Sequence, residues 1–299
     1  MGYAFVYPNT APQREAHWKA LKEIETRIIE LGKDLFEPAE LQEAKIRVLP
    51  MPLDGSNGFE PCFFKPYPGE LLIEPPDEAV DDGNDGDGDG NADDADKELS
   101  EETRERRKQI RPLFALSSYF GTYESACLSD AKENNKLSPR EWLCSDKYEK
   151  FAKMRLVEHR PSFWHFKLVC EILNVPHFQC EILYNVVGND QQLLRGELLT
   201  FIRLMRGRLK MKSIRMTMMG HITVPVLLFT YMKPRHGRIL QGHFDGNELV
   251  VYYSKLYDFT EKNSEARKLF MQWQFSEPTG ETKRKGRGVE RDEAHDSLE

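Results

Sequence analysis

One stretch of this chain cannot fold on its own. From Asp77 to Lys97 the sequence reads DEAVDDGNDGDGDGNADDADK. A run of aspartate and glycine has too little apolar surface to offset the entropy of ordering its backbone, so it reads as a disordered insert. The insert divides the chain into an N-terminal helix and extended Pro-rich segment (1–76), an acidic linker (77–102), a core domain (103–275) and a disordered charged tail (276–299).

Charge follows the same division. The 299 residues carry a net charge of −7. Between Glu70 and Glu102 stand 15 acids and one base, so this stretch alone holds −14. Residues 103–275 hold 28 bases against 17 acids, a net +11. A basic domain tethered to an acidic tract suggests that the tract masks a basic surface, whereas an acidic linker that only keeps the chain soluble is the competing reading.

Several classes are disfavoured. The longest apolar run, from Thr223 to Met232, is about half of the ~18 residues that a membrane span needs. The first residues lack the basic and long apolar regions of a secretory signal. The five cysteines, Cys62, Cys127, Cys144, Cys170 and Cys180, form no C-x-x-C pair, and together these features suggest reduced thiols in a cytoplasmic or nuclear protein. The run KRKGRG from Lys283 reads as a nuclear address or as an ordinary basic tail.

Periodicity supplies the elements. Trp18, Leu21, Ile24, Ile28 and Leu31 fall on one face of a helix over 13–31, stopped by Gly32. Residues 46–76 hold two short apolar runs, around Phe63 and over 71–73, that read as strands or extended packing segments. Further helices are expected over 98–111, from a capping box at Ser138, and over 162–173, 191–210 and 260–275, the last capped by Thr260. The core domain is expected to begin near Pro112. Residues 178–187 read as a strand, and strands over 221–232, 237–244 and 248–257 follow. Asp245-Gly246-Asn247 joins the last two as a hairpin turn. The expected fold is α+β: a small antiparallel three-strand meander packed with helices.

Four constellations carry candidate chemistry. Arg203, Arg206, Arg208, Lys210, Lys212 and Arg215 put six bases and no acid into 13 residues, a density that suits a polyanion or nucleic-acid backbone. Alternation from Arg206 to Lys212 would place four of them on one face of an extended segment; the competing reading is a solvated helix face followed by a loop. Asp85, Asp87, Asp89, Asp93 and Asp96, with Gly90, occupy calcium-loop spacing, though a run of aspartates produces such matches by chance. His165, Cys170, His177 and Cys180 are zinc-type ligands, read otherwise as core residues. No nucleophile elbow, Walker loop, zincin motif or dinucleotide fingerprint is present. No cofactor is implied.

Segments such as RPSFWHFKLVCEILNVPHFQCEILYNVVGND resemble a group of filamentous-fungal proteins with no established activity, over about half the chain. The α-β-β-β-α order after residue 191 also resembles the core of PD-(D/E)XK nucleases. That resemblance implies Glu197, Asp245 and Lys255 at metal-site positions, with Tyr253 where the second acid belongs. Charge segregation and the absent catalytic motifs point to a non-enzymatic binding or regulatory module with a protein partner. A nucleic-acid-binding protein with a degenerate nuclease-like core is the alternative.

Overall fold

A computed structural model describes residues 10–55, 58–77, 101–136, 142–145, 151, 154–158, 162–172, 174–211 and 220–283. Its helices are α1 (Ala11–Leu31), α2 (Pro38–Glu43), α3 (Glu101–Glu133), α4 (Arg195–Lys210) and α5 (Ser264–Gln274). The long strands are β2 (Ile46–Pro50), β6 (Trp164–Glu171), β7 (Phe178–Val187), β9 (Val226–Lys233), β10 (His236–Phe244) and β11 (Leu249–Tyr253). Short strands are β1 (Leu35–Phe36), β3 (Phe64–Lys65), β4 (Leu143–Ser145), β5 (Val157–Glu158), β8 (Leu193–Leu194), β12 (Tyr257–Asp258) and β13 (Glu277–Pro278).

The sheet corrects the expected meander. Strands β9, β10 and β11 do pair antiparallel, but they sit inside a nine-stranded mixed sheet ordered β2-β11-β10-β9-β7-β6-β4, with β12 beside β10 and β5 beside β6. β7 joins β9 in parallel, and β2 joins β11 in parallel. The N-terminal segment is therefore built into the same sheet as the core domain, since its β2 forms one edge. β13 returns to pair with β3.

Helices cover both faces. Phe178, Cys180, Ile182, Val226, Leu228 and Leu240 point to a core shared with Leu21, Ile24 and Ile28 of α1 and with Leu198, Phe201 and Ile202 of α4. The alternate residues, Leu183, Leu227, Phe229, Tyr231 and Ile239, meet Leu113, Leu116 and Phe120 of α3 and Phe270 and Met271 of α5. Coverage on both sides explains why β9 reads as the nearly continuous apolar run VLLFTYM. At Gly242 a side chain would collide with the ring of Phe201, 2.6 Å away, so glycine lets α4 lie close on β10.

Local expectations fared unevenly. α1 ends at Gly32 in the left-handed conformation (φ 63°), as the glycine stop implies. α3 does not stop at residue 111. It runs on through Pro112, which places the expected domain start inside a helix. The segment 162–173 forms β6 rather than a helix. A bulge between Phe166 and Leu168 breaks the two-residue period: buried Trp164 and Phe166 are two apart, but the next buried residue is Val169. Asn263, not Thr260, caps α5 by accepting from the Ala266 amide. The Ser138 capping box and the calcium-like run lie outside the described residues. β4 sets Cys144 directly opposite Cys170 on β6, and the two form a disulfide, which corrects the reading of five reduced thiols. Among the described residues no helix is long and apolar enough to cross a membrane.

Two carboxylates on the α3 face have no bridging base among the described residues. Glu181 of β7 accepts one hydrogen bond from Ser117 Oγ of α3 at 2.7 Å. No arginine or lysine bridges it among the described residues. Glu124 of α3 accepts from Gln274 Nε2 at 2.8 Å. Burial pushes the Glu181 carboxyl up to about 7 and raises Glu124 in the same direction. A carboxyl raised on folding favours the fold while it is protonated, so this stability is full below the unfolded value and is lost as pH climbs to about 7. Urea denaturation is expected to show stability falling by about 3 kcal/mol between pH 4.5 and 7 from this group, and Glu181→Gln is expected to flatten most of that slope.

Candidate functional site

The basic run meets α1 rather than open solvent. On α1, Trp18, Lys22, Glu25, Thr26 and Ile29 follow helical steps and form one stripe; on α4, Arg203, Arg206, Gly207 and Lys210 do the same. These stripes, with Met154, Arg155 and Met211, line a groove of about 640 Å³. A side chain at Gly207 would strike Met154 at 2.4 Å, so glycine makes room for the methionine that lines the groove.

Five cations and one carboxylate face this groove. Glu25 serves two arginines, accepting from Arg203 Nε at 2.7 Å and from Arg206 Nη1. Arg203 also donates to Glu158 at 2.6 Å and to the Arg155 carbonyl at 2.6 Å. Lys210 pairs with Glu15 at 3.0 Å on the surface. Trp18 gathers the rest: Lys210 Nζ lies 4.3 Å, the Arg206 guanidinium 4.6 Å and Lys22 Nζ 5.8 Å from its ring centre. Such contacts are attractive because the ring face is electron-rich. The Arg206 Nε is buried and has no hydrogen-bond partner among the described residues. Burial lowers the Arg206 pKa.

The six sequence-selected bases therefore divide. Arg203, Arg206 and Lys210 line the groove. Arg208 does not: it is buried beside the sheet, donating to Glu171 at 2.8 Å and to the Val175 carbonyl at 2.9 Å, with its guanidinium 4.6 Å from the Phe178 ring. Alternation along an extended face is corrected, because this stretch is helical through Lys210. Lys212 and Arg215 lie outside the described residues. Trp18, Lys22 and Arg155 were not selected from sequence. The first two lie on the amphipathic α1, but nothing local shows which helix they face.

The nuclease-like positions do not assemble. Glu197 at the start of α4 is fully buried and receives Arg238 Nε at 2.7 Å, a second Arg238 nitrogen and the Leu194 amide at 2.7 Å. Its carboxylate is saturated by protein donors. Asp245 is the turn residue of the β10–β11 hairpin, accepting from the amides of Asn247 and Glu248. Lys255 lies beyond the other end of β11, which spans five residues, so about 17 Å or more of strand separates it from Asp245.

The zinc-type set does not assemble either. Cys170 is in the disulfide. Cys180 is buried against the α1 and α4 layer, while the His177 ring lies against Phe63 and Phe64 of the other layer. Among the described residues no group of three or more His, Cys, Asp or Glu side chains is placed to hold a metal.

No protein-family model, curated protein or solved structure matches the chain.

Breaking the Glu197–Arg238 pair tests its structural role. Glu197→Ala leaves a buried arginine uncompensated and is expected to cost about 3–5 kcal/mol in urea denaturation. The double variant Glu197→Ala with Arg238→Met is expected to recover part of that loss, since no charge is then stranded.

Proposed function

We propose that this protein is a non-enzymatic binding module whose α1–α4 groove takes an anionic segment of a protein partner. The single observation that carries the reading is the charge imbalance of the groove lining: it holds five cations and one carboxylate, and among the described residues the buried Arg206 Nε has no hydrogen-bond partner. An incoming carboxylate would relieve the repulsion among Lys22, Arg206 and Lys210, and the half-buried Trp18 would give it an apolar floor.

The acidic tract is the natural internal competitor. Its flank at Asp77 pairs with Lys262, ahead of α5, and its other flank opens α3, so both belong to the layer opposite the groove. Residues 77–102 extend to about 85 Å at full stretch, against about 30 Å for a stack of helix, sheet and helix. That length allows the tract to pass round the sheet edge.

Nucleic acid is the second reading, and Trp18 favours it, because an indole face released by its cations offers a stacking platform for a base. The discriminating measurement is fluorescence anisotropy with a labelled polyglutamate peptide and a labelled single-stranded oligonucleotide, across salt. The peptide is expected to bind and to weaken steeply with ionic strength. Lys22→Glu and Lys210→Glu, both at exposed positions, are each expected to cost about fivefold in affinity, roughly 1 kcal/mol. Replacing the acids of residues 78–100 with serine is expected to tighten binding, most at low salt. Binding indifferent to salt and to both reversals would refute the reading, and a strong preference for the oligonucleotide would transfer the groove to nucleic acid.

A further inference from the structure

A second concavity lies far from the groove and is assigned by nothing above. β11 runs parallel to β2 and antiparallel to β10, and β9 is antiparallel to β10 and parallel to β7. Strands β2, β7, β9 and β11 therefore share one direction, and their carboxyl ends lie along one rim of the sheet. In sheets with parallel strands, ligands are taken in the crevice outside those carboxyl ends.

A crevice of about 550 Å³ opens at this rim, beyond Pro50 of β2 and Tyr253 of β11. Its size falls within the range of small-molecule sites. The walls are apolar and aromatic, from Met51, Leu53, Phe59 and Tyr253. Three charged side chains reach it: Asp54, Asp190 and Lys255. Asp54, Lys255 and Tyr257 also line an adjoining depression of about 390 Å³. Lys255 Nζ stands 5.3 Å from the Tyr257 ring centre. Asp54 lies near enough to the Tyr257 hydroxyl for its charge to add to burial in pushing that group up to about 12.

The floor is held rigidly. Asp190 Oδ1 accepts from the Leu256 amide at 2.6 Å, tying the loop after β7 to the chain after β11. Arg238 grips the same loop, donating to the carbonyls of Asn189 at 3.1 Å and Gln192 at 3.0 Å, while Glu197 holds Arg238 in place. A floor fixed this way has little ordering cost left when a ligand enters.

We propose that this crevice binds a small zwitterion with an apolar body, an amino-acid-like ligand whose ammonium meets Asp54, whose carboxylate meets Lys255, and whose apolar part lies on Phe59 and Tyr253. The charge pattern selects this class. A plain anion faces two aspartates, and a plain cation faces Lys255. A ligand carrying both signs sets its ammonium toward the aspartates and its carboxylate toward Lys255, and the walls suit a ring or branched chain.

The test uses the full chain and three probes: L-phenylalanine, phenethylamine without the acid, and 3-phenylpropionate without the amine. Saturation-transfer NMR detects contact, and isothermal titration measures affinity at millimolar concentration. L-phenylalanine is expected to bind about tenfold more tightly than either singly charged probe. Lys255→Met is expected to abolish its advantage over phenethylamine alone, and Asp54→Asn its advantage over phenylpropionate alone. Both residues are exposed, so the variants keep the fold, which circular dichroism checks. Absence of saturation transfer from L-phenylalanine would overturn the proposal. So would equal binding of phenethylamine, or an affinity for L-phenylalanine that neither variant changes. None of these outcomes bears on the α1–α4 groove.

Discussion

The ion pair between Glu197 and Arg238 is the joint on which the layers meet. Both side chains are withdrawn from water, and a buried pair of this kind is tolerable only when its remaining hydrogen-bonding capacity is met. Here it is. Glu197 closes the first turn of α4 by accepting the Leu194 amide, and at the same time receives two nitrogens of Arg238. Arg238 spends its other donors on two carbonyls of the loop after β7. One interaction thus ties a helix of the outer layer, a central strand and a rim loop together. Well-packed apolar residues would supply comparable stability, but they would not fix the direction in which α4 leaves the sheet or the position of Asp190.

The two helical layers pair their carboxylates differently. On the α1 and α4 side, arginines are buried with acids: Arg195 and Arg203 share Glu158, Arg203 and Arg206 share Glu25, and Arg208 takes Glu171. The acids are used more than once, so the layer is left cationic at the groove. On the α3 and α5 side, buried Glu181 and half-buried Glu124 have hydroxyl and amide partners and no bridging base among the described residues, while buried Arg267 of α5 lies over the Tyr119 ring. That layer is stabilised by protonation, and it is the one from which the acidic tract departs.

What the sequence revealed, and what it hid, follows from the range of each interaction. The β10–β11 hairpin was legible because Gly246, at φ 107°, and the Asp245 side chain settle it within four residues. α1 and α4 were legible from their stripes. The parallel pairings of β7 with β9 and of β2 with β11 were not, since partners in a parallel pair lie far apart in the chain and leave no local mark. β6, expected as a helix, shows no clean alternation in the sequence, because its bulge shifts the phase of its buried residues. The basic run misread as an open patch for a related reason: its neutralising acids, Glu15, Glu25, Glu158 and Glu171, stand tens to nearly two hundred residues away, and local charge density cannot count them. Lys255 was singled out on element order, and the structure gives it different company, Asp54 and Asp190 in place of Asp245.

The groove and the crevice share α4. Its middle and last turns present Arg203, Arg206 and Lys210 to the groove, and its first turn carries the glutamate that fixes the crevice floor. A shared rigid element does not by itself couple two sites. Coupling requires an element with two arrangements whose balance each ligand shifts. α4 has no such freedom: it is buried along most of its length, anchored at its first turn by Glu197 and at its last by Arg208. The anchoring that makes both concavities well formed is also what should keep them independent, so that a ligand in one leaves the affinity of the other unchanged.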